Sequence, residues 1–274
     1  MSVAGSALGT IENTDMSNQL TIFGSAAGYP TKKRPHTTAI GLWRGEELYL
    51  FDTGAGIAHQ FAALDIDPDA LRAIFLTHTH ADHVGGLAPL LQAIQLKKRT
   101  RPLPLYIPDR SWEGIRDYLH LVYLHPLKDF ELELHPTTAG PAHEEDGLRI
   151  TAVTSYHLQP SEEQRRELGA STVSQAFSYV LDIAGKKVYL SGDLDSPDEA
   201  AKYGADSHVA VVEIAHFQPE ALGEALADSG ISRLVLSHVL ASLEPHETEL
   251  PGRINAAGFA GEVIVATDGL TLEI

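Results

Sequence analysis

Three histidines and one aspartate lie within six residues of each other in the first third of the chain. The segment FLTHTHADHVGG, residues 75–86, contains His78, His80, Asp82 and His83. The residues AIFLT before the first histidine are apolar and partly β-branched, which predicts a buried strand. The leucines that follow the two glycines have helical spacing. We therefore expect the four polar side chains to lie in a turn from a strand to a helix.

This placement allows the four side chains to converge on metal ions. Side chains two residues apart in an extended segment point the same way, so His78 and His80 can bind one ion. The chain then turns, and Asp82 and His83 can reach a second point nearby. Imidazole and carboxylate groups bind zinc, and they also accept manganese or iron. Cysteine is absent from the chain, so a transition-metal site must use His, Asp and Glu.

The composition is that of a globular protein of ordinary polarity. The chain has 274 residues, 43% of them hydrophobic and 21% charged, with a formal net charge of -17. Such a surface repels polyanions on average, so we expect structured RNA to be an unlikely partner. No run is long enough to span a membrane and no signal peptide is recognisable, which favours a cytoplasmic location. We predict a polar extension over 1–17 and a single domain over 18–274.

Short apolar runs alternate with helical patterns along the whole chain, which predicts sheets with helices packed outside. Several predicted strands end at a polar or ionisable residue, as in LYLFDTG (48–54), VYLSGD (188–193) and RLVLSH (233–238). The predicted strands are 20–23, 47–51, 73–77, 104–107, 148–153, 177–183, 187–190, 209–214, 233–237, 262–266 and 271–274. The predicted helices are 57–64, 84–96, 111–121, 196–203, 219–228 and 246–257. The stretches 137–147 and 157–175 are expected to be loops.

The segment HTHADH matches the HxHxDH signature of the metallo-β-lactamase fold superfamily. The resemblance extends from about Leu20 to the end of the chain and implies an α/β (α+β) fold, the four-layer αβ/βα sandwich. LYLFDTGAG, TAVTSYH, VYLSGDLD and RLVLSHV resemble further motifs of the family, with Asp52 implied to support the ligands. One metal ion would then be held by His78, His80, His157 and Asp193, and the other by Asp82, His83, His238 and the shared Asp193.

The resemblance implies a hydrolase with two divalent ions, zinc first, with manganese or iron as alternatives. A hydroxide that bridges the two ions would attack a carbonyl or phosphorus centre. Asp82 is expected both to ligate metal and to accept a proton from the nucleophile. The segment 20–42, which contains GYPTKKR, resembles the ribonuclease Z and related phosphodiesterase branch. In AVVEIAHF (210–217), Glu213 is a candidate acid–base residue, acting with a histidine such as His246, and His216 is a further histidine considered.

The resemblance is compatible with several substrates and assemblies. The transfer-RNA-processing members of that branch carry a long Gly/Pro-rich arm that we do not find in this sequence, so a small phosphodiester, such as a cyclic nucleotide, is favoured. A lactonase, a thioester hydrolase resembling glyoxalase II, a transfer-RNA 3′-processing endonuclease and a non-catalytic binding module are the alternatives. The charged segment 158–175 is either a lid over the site or a solvated helix. Dimers are common among proteins of this resemblance, which leaves a homodimer open for this chain.

Overall fold

The computed structural model describes residues 18–159 and 175–274, together with residues 164, 166, 167 and 169. The predicted polar extension 1–17 and most of the predicted lid lie outside the described residues. Two mixed seven-stranded sheets form the centre of this described part. No helix within the described residues is long and apolar enough to cross a lipid bilayer.

The first sheet has the strand order β14–β1–β2–β3–β4–β5–β6. Strands β14, β1, β2 and β3 pair antiparallel, whereas β3 to β6 run parallel. The carboxyl ends of β3 and β4 therefore meet at one edge of the sheet, where the signature segment follows. The strands are β1 (Asn18–Gly24), β2 (Ala39–Arg44), β3 (Glu47–Phe51), β4 (Leu71–Phe75), β5 (Leu103–Pro108), β6 (Leu132–Thr137) and β14 (Leu270–Glu273).

The second sheet has the strand order β13–β12–β11–β10–β9–β8–β7. Strands β10 to β13 run parallel, while β7, β8 and β9 pair antiparallel. The parallel strands end at the same edge, next to the ends of β3 and β4. The strands are β7 (Gly140–Glu145), β8 (Leu148–Ser155), β9 (Ala176–Ile183), β10 (Lys186–Leu190), β11 (Val209–Glu213), β12 (Arg233–Ser237) and β13 (Glu262–Val265).

Helices cover the outer face of each sheet, and apolar side chains fill the space between the sheets. Phe51, Phe75 and Tyr179 meet between the sheets, with ring centroids 5.1–5.7 Å apart. The layers follow the predicted αβ/βα order, and the four-layer sandwich is confirmed. The first sheet carries α1 (Ile57–Ala63), the short α2 (Ala81–Val84), α3 (Leu87–Leu96) and α4 (Trp112–Leu121), and the second carries α5 (Pro197–Gly204), α6 (Pro219–Ala225) and α7 (Leu250–Ala256).

The single helix predicted over 84–96 is divided in two by its glycines. The amide of Gly86 donates to the Thr53 carbonyl oxygen at 2.7 Å. A Cβ atom at Gly86 would lie 2.2 Å from the Gly54 carbonyl oxygen. The backbone after β3 thus packs directly against the start of α3, and only glycine fits there. This contact fixes the signature turn against the end of β3.

Three strands were missing from the sequence prediction. β2 and β6 contain small or polar residues that hide the alternation expected of a strand. β7 lies in the stretch 137–147, for which the prediction of a loop is wrong. It is a half-exposed edge strand with a bulge between Pro141 and His143, which is why its sequence is polar and contains proline.

Candidate metal centre

The carboxylate of Asp52, directly after β3, fixes the signature turn that follows β4. Asp52 has φ 59°, a left-handed conformation that turns its side chain back toward the turn. Its Oδ1 accepts from the Thr77 amide and its Oδ2 from the Thr77 hydroxyl, both at 2.8 Å. Oδ2 also lies 2.7 Å from Nδ1 of His83. Asp52 therefore fixes that ring with Nε2 directed away, in the position from which it could bind a metal ion.

A first cluster of ligand atoms consists of His78, His80, His157 and Asp193, all within 4.8 Å of one another. Nε2 of His157 lies 3.3 Å from Nδ1 of His80. Oδ2 of Asp193 lies 3.6 Å from Nε2 of His78 and 3.5 Å from Nε2 of His157. Three imidazoles and one carboxylate oxygen thus face a common point.

A second cluster consists of Asp82, His83 and His238. Oδ2 of Asp82 lies 3.0 Å from Nε2 of His238 and 3.9 Å from Nε2 of His83. Oδ1 of Asp193 lies 3.1 Å from Nε2 of His83 and 3.6 Å from Nε2 of His238. The two oxygens of Asp193 therefore face different clusters, so this carboxylate lies between them.

The donor atoms fit divalent cations. Nε2 of His78, Nε2 of His83 and Oδ1 of Asp193 are buried and have no hydrogen-bond partner of suitable geometry among the described residues. Buried polar groups without partners are rare because their desolvation is costly. Imidazole nitrogens and carboxylate oxygens converging in this way form the donor set that zinc, manganese and iron accept.

The electrostatics of the clusters favour neutral imidazole at His78 and ionised carboxylates beside it. Burial lowers the pKa of His78 well below its ordinary value. Burial alone would raise the pKa of Asp193, but the neighbouring His83 and His238 hold it well below its ordinary value. For Asp82 the same burial effect is overcome by the hydrogen bond to His238, which lowers the pKa to about 2.

Ser155 connects two of the ligand-bearing turns of the second sheet. Its hydroxyl donates to the Asp193 carbonyl oxygen at 2.7 Å and accepts from the His157 amide at 3.3 Å. Gly192, just before Asp193, has φ 57°, and a Cβ atom there would lie 2.9 Å from the Thr77 Cβ. The turn that carries Asp193 thus packs closely on the signature segment of the other sheet.

Glu213 and His216 form a pair beside the clusters. Glu213 is 2% exposed, and its carboxylate accepts from the amides of Leu194, Ala215 and His216. Nδ1 of His216 donates to Glu213 Oε1 at 2.8 Å, a hydrogen bond that raises the pKa of His216 although burial opposes it. A ring nitrogen of His216 lies within 4.8 Å of ligand atoms of Asp193 and His238.

The structure pairs Glu213 with His216, whereas the sequence favoured a histidine such as His246. His246 lies in a short 3-10 helix after β12, is 61% exposed in its side chain and has Nδ1 3.6 Å from Glu249. The signal for His216 was its spacing of three residues after Glu213, directly beyond the end of β11. That spacing lets the turn bring both side chains together.

The family described as "Beta-lactamase superfamily domain" matches residues 48–239, which include the signature segment and the turns that carry His157, Asp193 and His238. The chain belongs to this family. Its architecture is that of the metallo-β-lactamase fold.

Curated relatives of this family member are ribonucleases. The ribonuclease Z of Methanothermobacter thermautotrophicus is 32% identical over 139 residues, which are 51% of this chain and 44% of that protein. The match thus spans less than half the length of this relative.

Solved structures share the fold along almost the whole chain. The Bacillus subtilis metallo-β-lactamase fold protein YhfI superposes with a TM-score of 0.76 at 18% identity, covering 95% of this chain and all of that protein. The short form of human tRNase Z has a TM-score of 0.70 at 20% identity, covering 93% of this chain and 98% of that protein. At these identities, the superpositions establish the shared fold.

The expectation that structured RNA is an unlikely partner is wrong. It rested on the net charge of -17, whereas the curated relatives are ribonuclease Z proteins and a fold neighbour is a tRNase Z. A net charge averages over the whole surface and does not describe the local field at the site. RNA binding depends on the groups that face the phosphates, and divalent ions at the two clusters would add positive charge there.

Proposed function

We propose that this family member is a dinuclear metal-dependent phosphodiesterase that cleaves RNA, with a transfer-RNA precursor as the first substrate to test. The observation that carries the proposal is the division of Asp193 between the two clusters, Oδ2 facing the first and Oδ1 the second. Divalent ions held there would supply a water nucleophile at neutral pH and offset negative charge on the phosphoryl group. The ribonuclease Z relatives support RNA as the substrate class.

The protein's own residues have distinct roles in this reaction. The attacking water forms a bond to phosphorus and gives up a proton, for which Asp82, an ionised carboxylate at the second cluster, is the nearby acceptor. The bond from phosphorus to the leaving oxygen breaks, and that oxygen needs a proton. His216 is placed to donate it, because Glu213 holds Nδ1 and leaves Nε2 free for the substrate.

A small phosphodiester is the second candidate. The sequence match covers 51% of this chain and 44% of the Methanothermobacter ribonuclease Z, so the parts of that enzyme outside the match have no established counterpart here. The chemistry at phosphorus would be the same for both substrates, and only the contacts around it would differ. Lactone and thioester hydrolysis would use the same clusters without a requirement for phosphate.

A panel of substrates separates these proposals. The purified protein, loaded with zinc or manganese, is incubated with a transfer-RNA precursor carrying a 3′ trailer, bis-p-nitrophenyl phosphate, a lactone and a thioester. We expect cleavage of the RNA and turnover of the diester, both abolished by a chelator and by His80→Ala or Asp193→Ala. His120→Ala, on the exposed face of α4, is the matched control and retains activity. Activity that survives both ligand substitutions, or a preference for the lactone or thioester, contradicts the proposal.

A further inference from the structure

His238 differs from His83 in the surroundings of its second ring nitrogen. His83 directs Nδ1 at the buried carboxylate of Asp52, 2.7 Å away. His238 directs Nε2 at Asp82, at 3.0 Å, and its Nδ1 is buried without a hydrogen-bond partner in the described part of the chain. A histidine that binds metal through Nε2 carries a proton on Nδ1, and this proton needs an acceptor.

A small pocket lies beside this ring, between the two sheets. Its volume is about 20 Å³, and His238, Thr38 and Ser237 line it together with the apolar side chains of Ile40, Phe51 and Leu190. A space of roughly 10–15 Å³ by this measure is enough for one water molecule, provided that two to four polar groups face it.

Two hydroxyl groups on the pocket are also without partners. Thr38 Oγ1 and Ser237 Oγ are buried and make no hydrogen bond within the described residues. Thr38 is 5% exposed, Ser237 4% and His238 4%. Three residues that each carry an unpartnered polar atom, directly before β2 and at the end of β12, therefore line one pocket that has room for a water molecule.

We propose that this pocket binds one structural water molecule, which accepts a hydrogen bond from His238 Nδ1 and donates to the hydroxyl oxygens of Thr38 and Ser237. The water does for His238 what the Asp52 carboxylate does for His83. It fixes the ring and its tautomer with Nε2 toward Asp82 and Asp193. Thr38 and Ser237 are thus positioning residues for the second cluster. The Nδ1–H tautomer of His238 and the effect on metal binding rest on the proposed metal centre, whereas the presence of a water in the pocket does not.

Thr38→Val and Ser237→Ala test the proposal, since each removes one hydroxyl group with little change in volume. We expect a high-resolution crystal structure of the wild-type protein to show density for a water within hydrogen-bond distance of His238 Nδ1. In both variants, the affinity for the second equivalent of zinc should fall about tenfold, as for other partners of metal-binding histidines. ¹⁵N NMR of the histidine rings should show His238 losing its single Nδ1–H tautomer.

Two further variants separate a specific effect from a general one. Thr38→Ser keeps the hydroxyl group and should restore both zinc affinity and tautomer. Thr137→Val removes a buried hydroxyl group at the end of β6 that makes no hydrogen bond to any described residue and lies away from the pocket, and it should change neither. If Ser237→Ala fails to fold, the comparison of Thr38→Val with Thr38→Ser decides the question.

Two results would overturn the water site. One is a pocket without density in the wild-type crystal. The other is a pair of variants with the zinc affinity and the His238 tautomer of the wild type. If no form of the protein binds metal, the proposed hydrolase fails, while the density still decides whether the water is there.

Discussion

The two sheets contribute to the candidate metal centre in different ways. The first sheet supplies His78, His80, Asp82 and His83 from one continuous turn after β4, with Asp52 as support from the neighbouring strand. The second sheet supplies its groups one at a time, from the ends of separate strands. These groups are His157 after β8, Asp193 after β10, His216 after β11 and His238 after β12.

The first sheet places ligands within each cluster, whereas the second sheet also links the two clusters to each other. The continuous turn keeps its ligands close together through local backbone geometry and the contact at Gly86. The second sheet closes both clusters, because Asp193 lies between them and His157 and His238 complete one each. Substitution of a ligand from the first sheet should therefore weaken metal binding at one cluster, whereas substitution of Asp193 should weaken it at both.

Asp193→Ala should have the largest effect. It removes an oxygen from each cluster, so we expect loss of both metal equivalents and a fall in activity beyond the roughly 10–100-fold typical of residues that only support ligands. Metal analysis of the purified variant and RNA cleavage rates check this. Retention of one tightly bound equivalent would show that the clusters do not share this carboxylate.

His216→Ala should lower RNA cleavage about 100-fold, in the range of a lost proton donor, while both metal equivalents stay bound. The rate with bis-p-nitrophenyl phosphate should change much less, since p-nitrophenolate leaves without a proton. Parallel assays of both substrates make the distinction. His246→Ala is tested alongside. If only His246→Ala lowered RNA cleavage without lowering the rate with bis-p-nitrophenyl phosphate, His246 and not His216 would be the proton donor.

Asp52→Asn should lower the affinity of the second cluster for metal about 10–100-fold. The amide loses the charge that orients the His83 ring, while the first cluster keeps its ligands. Asp268→Asn is the matched control, because Asp268 pairs with His36 at 2.9 Å and neither belongs to a cluster. Competition with a chromophoric chelator measures both variants, and equal affinities in the two would contradict the role of Asp52.

Ser155→Ala should have the smallest effect, about 1 kcal/mol of unfolding free energy together with a several-fold loss of metal affinity at the first cluster. Ser178→Ala provides the comparison, since Ser178 also donates to a carbonyl oxygen, that of Ser191, at 2.7 Å. Urea unfolding should show a similar loss of unfolding free energy in both variants, whereas only Ser155→Ala should weaken metal binding. A loss of affinity in both would mean that general loosening, and not the link from His157 to Asp193, is responsible.

The same contrast explains what could be predicted from the sequence. The signature turn has all its ligands within six residues, so local spacing indicates a metal site directly. His157, Asp193 and His238 could be assigned only through a family resemblance, because their proximity depends on how distant strands pair. The pairing of Glu213 with His216 depends on a turn beyond β11 that residue types alone do not specify.

The fold shows a similar limit. Buried central strands such as β4 and β11 are mostly apolar and were predicted, whereas the edge strand β7 is half-exposed, contains few large apolar residues and was not. The break between α2 and α3 depends on backbone contact between Gly86 and Gly54, which lie 32 residues apart. The pocket beside His238 depends on Thr38 and Ser237, whose proximity follows only from the packing of the two sheets.

The most direct test of the account is anomalous diffraction from crystals of the zinc-loaded protein. We predict two peaks about 3.5–4 Å apart, one among His78, His80 and His157 and the other among Asp82, His83 and His238, with one oxygen of Asp193 bound to each. A single peak in a fully loaded crystal, or two peaks with Asp193 bound to only one of them, would contradict the dinuclear centre.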